Sequence, residues 1–317
     1  MPLNNDFADC GGVTVLMSVY RPDLKFFGEQ LDSIDCQTYP VKLLVRNDCP
    51  ESASLEPFIC DHVKLQKFTY IHGITNLGYV KSFECLLDRA ESDYVVFCDQ
   101  DDVWMPKRVE LAIQNMMAEH SILDVCDRSI IDENDSVLIQ SYRDSHPHSP
   151  EVNWVTGDDI TVQAASVCYG IGMALMVRTD IAKTLIPFPE STAHDLWLTL
   201  CCSELGRCSF TKVPLVCYRR HGFNVSGLLA GIESKEDWYK SRVANRADTA
   251  RQFSIRFPRS SHLGNIMGFA DARFRRSVVG LLKYRNANPK IALFEVVLNF
   301  TPDWLFRFVL KLARRTN

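Results

Sequence analysis

An apolar run of strand length followed by a helical pattern recurs along the first third of the chain, and this alternation restricts the fold more than any other feature. Residues 13–20 (VTVLMSVY) are almost wholly apolar, after which Leu24, Phe27, Leu31 and Ile34 recur at helical spacing. The unit returns. Residues 41–48 (VKLLVRND) and 68–73 (FTYIHG) read as strands, and residues 78–90 set Val80, Phe83, Leu86 and Leu87 on one helical face. The run YVVFC at 94–98 stops abruptly at Asp99, and residues 106–117 resume helical spacing behind Pro106. Such alternation predicts an α/β fold with a mainly parallel sheet flanked by helices. Ligands of these sheets sit beyond the carboxyl ends of the strands, which here carry Tyr20, Asp48 and Asp99 with its neighbours. After about residue 135 the alternation fades into SYRDSHPHSP, read as a surface loop. Further on come a helix from about Asp195 to Leu205, a strand pair in FTKVPLVCYRR and a helical tail.

At 317 residues, 46% hydrophobic and 23% charged, the chain can bury a large core, which excludes collagen-like, disordered and disulfide-scaffold readings. Its 12 cysteines are scattered, with no Cys-x-x-Cys, arguing for reduced thiols rather than a structural zinc site. The start MPLNNDFADC lacks the pattern of a secretory signal, and no apolar run approaches the roughly 18 residues a bilayer span needs, so a cytoplasmic protein is expected. Neither a Gly-x-Gly-x-x-Gly after the first strand nor a Gly-Lys-Ser/Thr loop is present, leaving dehydrogenase and P-loop readings without their phosphate cradles. The net charge of −4 hides an asymmetry: residues 230–317 hold 17 Lys and Arg against 7 Asp and Glu, and the remainder is acidic.

The strongest chemical signal is Cys98-Asp99-Gln100-Asp101-Asp102-Val103-Trp104, three carboxylates within four residues at a strand end. Crowded anions raise one another's pKa and call for a compensating cation, most simply Mg²⁺ or Mn²⁺ shared with substrate phosphates. The alternative is that Asp101 and Asp102 merely favour the positive end of the helix opened by Pro106.

SVYRPDLKFFGEQLDSIDCQTYP, VRNDCPES, NLGYVKSFE, YVVFCDQDDVWMPKRVE, HDLWLTLCCSELG and PLVCYRRHGFNVSG occur in that order. Together they make residues 13–227 resemble a family 2 glycosyltransferase, and more narrowly the bacterial rhamnosyltransferase-like branch that builds surface polysaccharides. The resemblance implies a GT-A fold within residues 1–229, with a nucleotide-sugar half at about 13–127 and an acceptor half at about 128–229. It implies inverting, metal-dependent sugar transfer from a nucleotide-diphosphate donor, a dTDP- or UDP-sugar such as dTDP-rhamnose, to a growing glycan or lipid-linked oligosaccharide of the O-antigen or capsule type. Asp99-Gln100-Asp101 is similar to the family's Asp-x-Asp motif, which makes Asp99 a donor contact and Asp101 a metal ligand. Asp48 matches the base-reading carboxylate, although Asn47, Cys49 and Pro50 depart from the common Asp-Asp-Gly-Ser, so base preference and loop shape are not carried over. Backbone groups around Ser18 and Tyr20 would complete the base pocket, beside Asn76, Gly78 and Lys81; a solvated helix lysine is an equal reading of Lys81.

By the same resemblance Asp195 matches the base that deprotonates the acceptor hydroxyl, although as a residue it also suits a helix N-cap. His194 would shape the acceptor pocket, and Trp104 would stack on a sugar or sit in the core. His221 matches a position able to give the metal a nitrogen ligand, which favours Mn²⁺ over Mg²⁺; a backbone-bonded turn histidine is the alternative. Arg219 or Arg220 could grip phosphate.

The tail at 230–317 sets Phe, Leu, Val and Trp beside Arg and Lys, with a break at Pro302. It suits peripheral contact with the cytoplasmic face of an inner membrane, or packing on the catalytic domain or a second subunit. Nucleic acid is not an expected partner, because no recognised module is present and the rest of the chain is acidic. A non-catalytic nucleotide-sugar or carbohydrate binding module of the same fold is the competing function.

Overall fold

The computed structural model describes residues 12–149, 151–222 and 231–313. Its frame is one nine-stranded sheet. The first part holds β1 (Val13–Val19), α1 (Leu24–Asp35), β2 (Val41–Asn47), α2 (Glu56–His62), β3 (Lys67–His72), α3 (Gly78–Arg89) and β4 (Tyr94–Cys98). Then come β5 (Val103–Trp104), α4 (Arg108–Glu119), β6 (Leu123–Ile131), β7 (Val137–Ile139), α5 (Tyr142–Ser145) and α6 (Thr161–Ala164). The unit is completed by β8 (Leu175–Arg178), α7 (Thr179–Thr184), α8 (His194–Leu205) and β9 (Cys208–Arg219).

The strand order is β3-β2-β1-β4-β8-β6-β9-β5, with β7 beside β6. β3, β2, β1, β4, β6 and β9 share one direction, and β8 runs against its neighbours β4 and β6. The expected mainly parallel sheet is therefore present. Central strands are covered on both faces, which is why both alternating sets of β1 side chains are buried and its sequence reads as a continuous apolar run. β3, at an edge, is only half-buried and correspondingly more polar. Strand order reverses between β1 and β4, so a crevice for ligands is expected beyond their carboxyl ends.

Two local expectations are corrected. FTKVPLVCYRR lies in a single strand, β9, whose pairing with β6 slips opposite residues 126–128, so the Pro214 region bends the strand instead of turning it. Before the helix expected from Pro106, Val103–Trp104 forms the short strand β5, antiparallel to β9, and α4 begins behind Lys107 with no side-chain cap. Asp101 and Asp102 are thus spent on neither cap nor first turn.

The tail forms α9 (Lys235–Trp238), a π-type turn at Tyr239–Ala244, α10 (Asn245–Arg256), α11 (Leu263–Phe274), α12 (Val278–Lys283), α13 (Pro289–Phe300) and α14 (Asp303–Ala313). Ala250, Phe253 and Ile266 from α10 and α11 enter the main core. Among the described residues no helix is long and apolar enough to cross a membrane, and no cysteine is in a disulfide.

Candidate active site

Beyond β1 and β4, the Tyr20 amide donates to Gln100 Oε1 at 2.9 Å and Gln100 Nε2 donates back to Tyr20 O at 3.3 Å. Gln100, the residue between the two motif aspartates, thereby latches the acidic loop to the first strand. At the end of β2, Asp48 is buried; its Oδ1 accepts from Arg46 Nη1 and from the Leu77 amide at 2.9 Å. Arg46 also donates to Thr75 O at 3.0 Å, so the β2 end organises the loop leading into α3. There Asn76 Oδ1 accepts from the Gly78 amide at 2.8 Å, and Gly78 opens α3 with φ +72°, a conformation that strains any residue with a Cβ. The Ser18 hydroxyl turns away to Ser82 at 2.8 Å, leaving the backbone as the part of Ser18 able to face a base.

Asp99 and Asp102 are the inner carboxyl groups of the loop. Burial first, then the charges of Asp101 and Asp195, push Asp99 up to about 7. Burial, then Asp101 and Asp99, hold Asp102 well above the usual carboxylate range. Asp102 Oδ1 accepts from the Arg219 amide at 3.0 Å, while its Oδ2 is buried with no hydrogen-bond partner. Asp101 points to the rim, where its Oδ2 lies 2.9 Å from His221 Nε2. Asp101, the second motif carboxylate, and His221 of the YRRHG segment, 120 residues apart, are thus brought together by β5 pairing with β9.

Asp195 stands in the first turn of α8. The N-cap of α8 is Ala193, not Asp195, and it makes no side-chain capping bond. Asp195 instead accepts from the Leu196 amide at 2.7 Å through Oδ1 and from the Gly172 amide at 3.2 Å through Oδ2, which fixes the carboxylate while leaving it partly open. A Cβ at Gly172 would stand 3.0 Å from His194 Nε2, so a glycine lets this backbone come close enough to serve Asp195. The charge of Asp195 reaches Asp99, Tyr79 and Cys168, placing both carboxylate groups in one electrostatic neighbourhood.

The surroundings of four candidate residues narrow how each can act. His194 is only 4% exposed and packs among Phe83 and Phe97, with ring centroids 4.3 and 5.0 Å away, so its ring builds the floor beneath the site and does not meet an acceptor directly. Burial lowers its pKa and keeps it neutral. Trp104 is 2% exposed and belongs to the core, not to a sugar platform. Lys81 Nζ is held by Glu84 Oε2 and Phe188 O, both at 2.9 Å, tying α3 to the chain before α8, which is neither a phosphate contact nor a solvated lysine. Arg219 is buried and donates to Asp101 O, Asp135 Oδ1 and Glu29 Oε2, bracing the acidic loop instead of gripping phosphate.

The sequence profile described as Glycosyl transferase family 2 matches residues 14–182. The chain belongs to glycosyl transferase family 2. It is 25% identical over 194 residues to the uncharacterized glycosyltransferase MJ1057 of Methanocaldococcus jannaschii, covering 59% of this chain and 63% of that one. It is 20% identical over 232 residues to the uncharacterized glycosyltransferase alr2836 of Nostoc sp., covering 71% and 70%. Among solved structures, S. aureus TarS 1–349 in complex with UDP-GlcNAc superposes with a TM-score of 0.60 at 16% identity, over 89% of this chain and 82% of that one. The mannosyltransferase PcManGT of Pyrobaculum calidifontis, in complex with GDP-Man and Mn²⁺, gives 0.54 at 16% identity over 91% and 79%. The GT-A-like fold is shared with both. The chain spans 63% of the length of the archaeal relative and half of the longer TarS chain.

In this family 2 glycosyltransferase the donor set suits a divalent cation. A carboxylate and an imidazole meet at the rim, and a buried oxygen of Asp102 lacks a partner. Among the described residues no three ligating side chains converge on one point, so a diphosphate and water would have to complete the coordination. One further residue escaped the sequence reading. Arg246 of α10 has no hydrogen-bond partner among the described residues, and its charge interacts with Cys168 and Asp195. Nothing in spacing links positions 195 and 246. The link is spatial: Thr192 and Thr249 share a 2.7 Å hydroxyl bond, and Ser191 donates to Asp248.

Proposed function

We propose that the chain transfers a sugar from a nucleoside diphosphate to a hydroxyl of a growing glycan by a single inverting displacement. What supports this reading is that the Asp99–Asp101 loop, at the end of β4, and Asp195, at the start of α8, lie close enough for the charge of Asp195 to act on Asp99. Asp48 and the backbone at Ser18 and Tyr20 would hold the base, with Asn76 and Gly78 shaping its rim, and Asp99 would hold the ribose or the metal side of the donor. Asp101 and His221 would hold Mn²⁺ or Mg²⁺, which when bound offsets charge gathering on the diphosphate as the sugar departs. Asp195, oriented by two backbone amides, accepts the acceptor's proton as its oxygen attacks. With no second carboxylate serving as nucleophile, one displacement inverts the anomeric centre.

The motif series supports L-rhamnose from dTDP-rhamnose as donor and a surface polysaccharide of the O-antigen or capsule type as product. The GT-A domain would then occupy residues 1–229, with residues 230–317 as its helical extension. The test is calorimetric titration of UDP, dTDP, GDP and CDP with and without Mn²⁺, on the wild type and on Asp101→Ala. Metal-dependent binding of one diphosphate, lost in the variant, is expected. Binding of none of the four by the folded wild type overturns the donor site.

A further inference from the structure

The last two helices leave an apolar face in water. α13 turns Ala292, Glu295 and Leu298 inward, and α14 buries Phe306 and Leu310 against Ile232, Trp238, Tyr239 and Val243. Both helices are nearly as apolar on the other side. Leu293 and Val297 of α13 are exposed, as are Trp304, Phe308 and Leu312 at intervals of four on α14, with Leu305 and Val309 beside them. Phe300, 77% exposed, and Trp304, 69% exposed, flank the Pro302 break and continue the same four-residue interval across it. Single exposed leucines are ordinary, but an unbroken band of this kind on a water-facing surface calls for a partner.

The charges beside the band are predominantly basic, with one exposed acid, Asp303, paired to Arg307. Arg307 and Lys311 line the flank of α14 between its inward and outward faces. Of the acidic residues on the two helices, Glu295 is buried in a pair with Arg273, and Asp303 is already bonded to Arg307 and the Lys235 amide. Residues 285–317 carry six basic side chains against these two acids, while the first 229 residues are strongly acidic. Two copies meeting through this face would set Arg307 and Lys311 against their own images, which disfavours a symmetric dimer. A negatively charged surface of unlimited extent suits it, and it would repel the rest of the molecule, fixing the orientation. At 12 and 11 residues, neither helix can span a bilayer, and an exposed Trp with basic neighbours is the composition of a helix lying in the interface.

We propose that the outward face of α13 and α14 docks on a lipid bilayer carrying anionic headgroups, inserting Phe300, Trp304 and Phe308 at the headgroup level with Arg307 and Lys311 toward the phosphates. The test is flotation of the full chain with vesicles of phosphatidylcholine alone and of phosphatidylcholine mixed with phosphatidylglycerol. Binding to the mixed vesicles, weakened by salt and about tenfold poorer on phosphatidylcholine, is expected. A Phe300→Ser, Trp304→Ser, Phe308→Ser variant should lose binding to both, and Arg307→Gln with Lys311→Gln should lose the preference for anionic lipid. All these side chains are exposed, and an unchanged melting curve and circular dichroism spectrum show that the variants fold. Wild-type protein that binds neither vesicle, or a folded triple variant that binds as well as wild type, overturns the proposal. So does sedimentation showing a dimer that the same three substitutions dissolve while vesicles go unbound, which would assign the face to a second copy.

Discussion

Arg219 directs its side-chain nitrogens to Asp101 O, Asp132 O, Asp135 and Glu29, and it stacks its guanidinium 4.4 Å from the centre of the Phe26 ring. This buried cation ties the backbone of the acidic loop to Asp135 and Glu29. Arg219→Gln is expected to cost about 1–3 kcal/mol in urea unfolding, because several charge-assisted bonds are lost at once. It should also weaken metal-dependent nucleotide binding without touching any ligand atom. Asp195→Asn has the opposite signature. An amide cannot take the acceptor's proton, so kcat should fall about 10²- to 10⁴-fold while nucleotide affinity measured by calorimetry stays at the wild-type value. At this scale the sequence exposed the carboxylates, since three acids at a strand end are conspicuous, and it paired Asp101 with His221 only through family resemblance. It did not show that Lys81, His194 and Trp104 are enclosed, because burial of a polar or aromatic side chain depends on what folds over it. Glu84 and Phe188 do so for Lys81, and Phe83 and Phe97 for His194.

Helices and strands were more legible than side-chain roles. β4 falls on the residues its pattern indicated, because a β-branched and aromatic run bounded by Asp99 admits few other readings. β5 and the unbroken β9 were not legible: a two-residue strand has no period, and Pro214 reads as a turn when the bulge that accommodates it lies in the pairing with β6. The tail helices were visible as helices, but the pair that joins them was not. Arg273 of α11 donates to Glu295 of α13 at 2.7 Å, both side chains are buried, and Trp238 Nε1 donates to the same carboxylate at 3.1 Å. Arg273→Ala is expected to cost about 3–5 kcal/mol, measured by chemical denaturation, because it strands a buried carboxylate. Replacing both partners with Leu and Met should recover most of that loss, a contrast that separates the ion pair's desolvation from its packing.

For the molecule as a whole, the tail is joined to the sheet partly through a titratable group. His262, just ahead of α11, lies 2.8 Å from Glu204 at the end of α8 and 3.0 Å from Asp159. Burial works against its charged form, but the hydrogen bonds to Glu204 and Asp159 outweigh it and raise its pKa above the ordinary histidine value. A raised histidine gives its full stabilisation below the unfolded value of about 6.5 and loses it as pH climbs through the folded value. Asp159 is held low by Thr161 and His262 despite burial, so its share is present above the ordinary aspartate value and is lost in stronger acid. The difference in melting temperature between wild type and His262→Gln should therefore be widest near about pH 5–6 and shrink toward about pH 8. An equal difference at both ends would show that the contact is held by shape alone.

The two hydroxyl ties, Thr192 to Thr249 and Ser191 to Asp248, give Asp195 a different support from that of the strand-end carboxylates. Asp48 and Asp99 are anchored directly behind β2 and β4, within the sheet. Asp195 is carried by α8, a largely buried helix, and the chain just before it is tied to α10. A substitution at Thr249 or Asp248 therefore reaches the neighbourhood of Asp195 by a route that leaves the strand ends untouched.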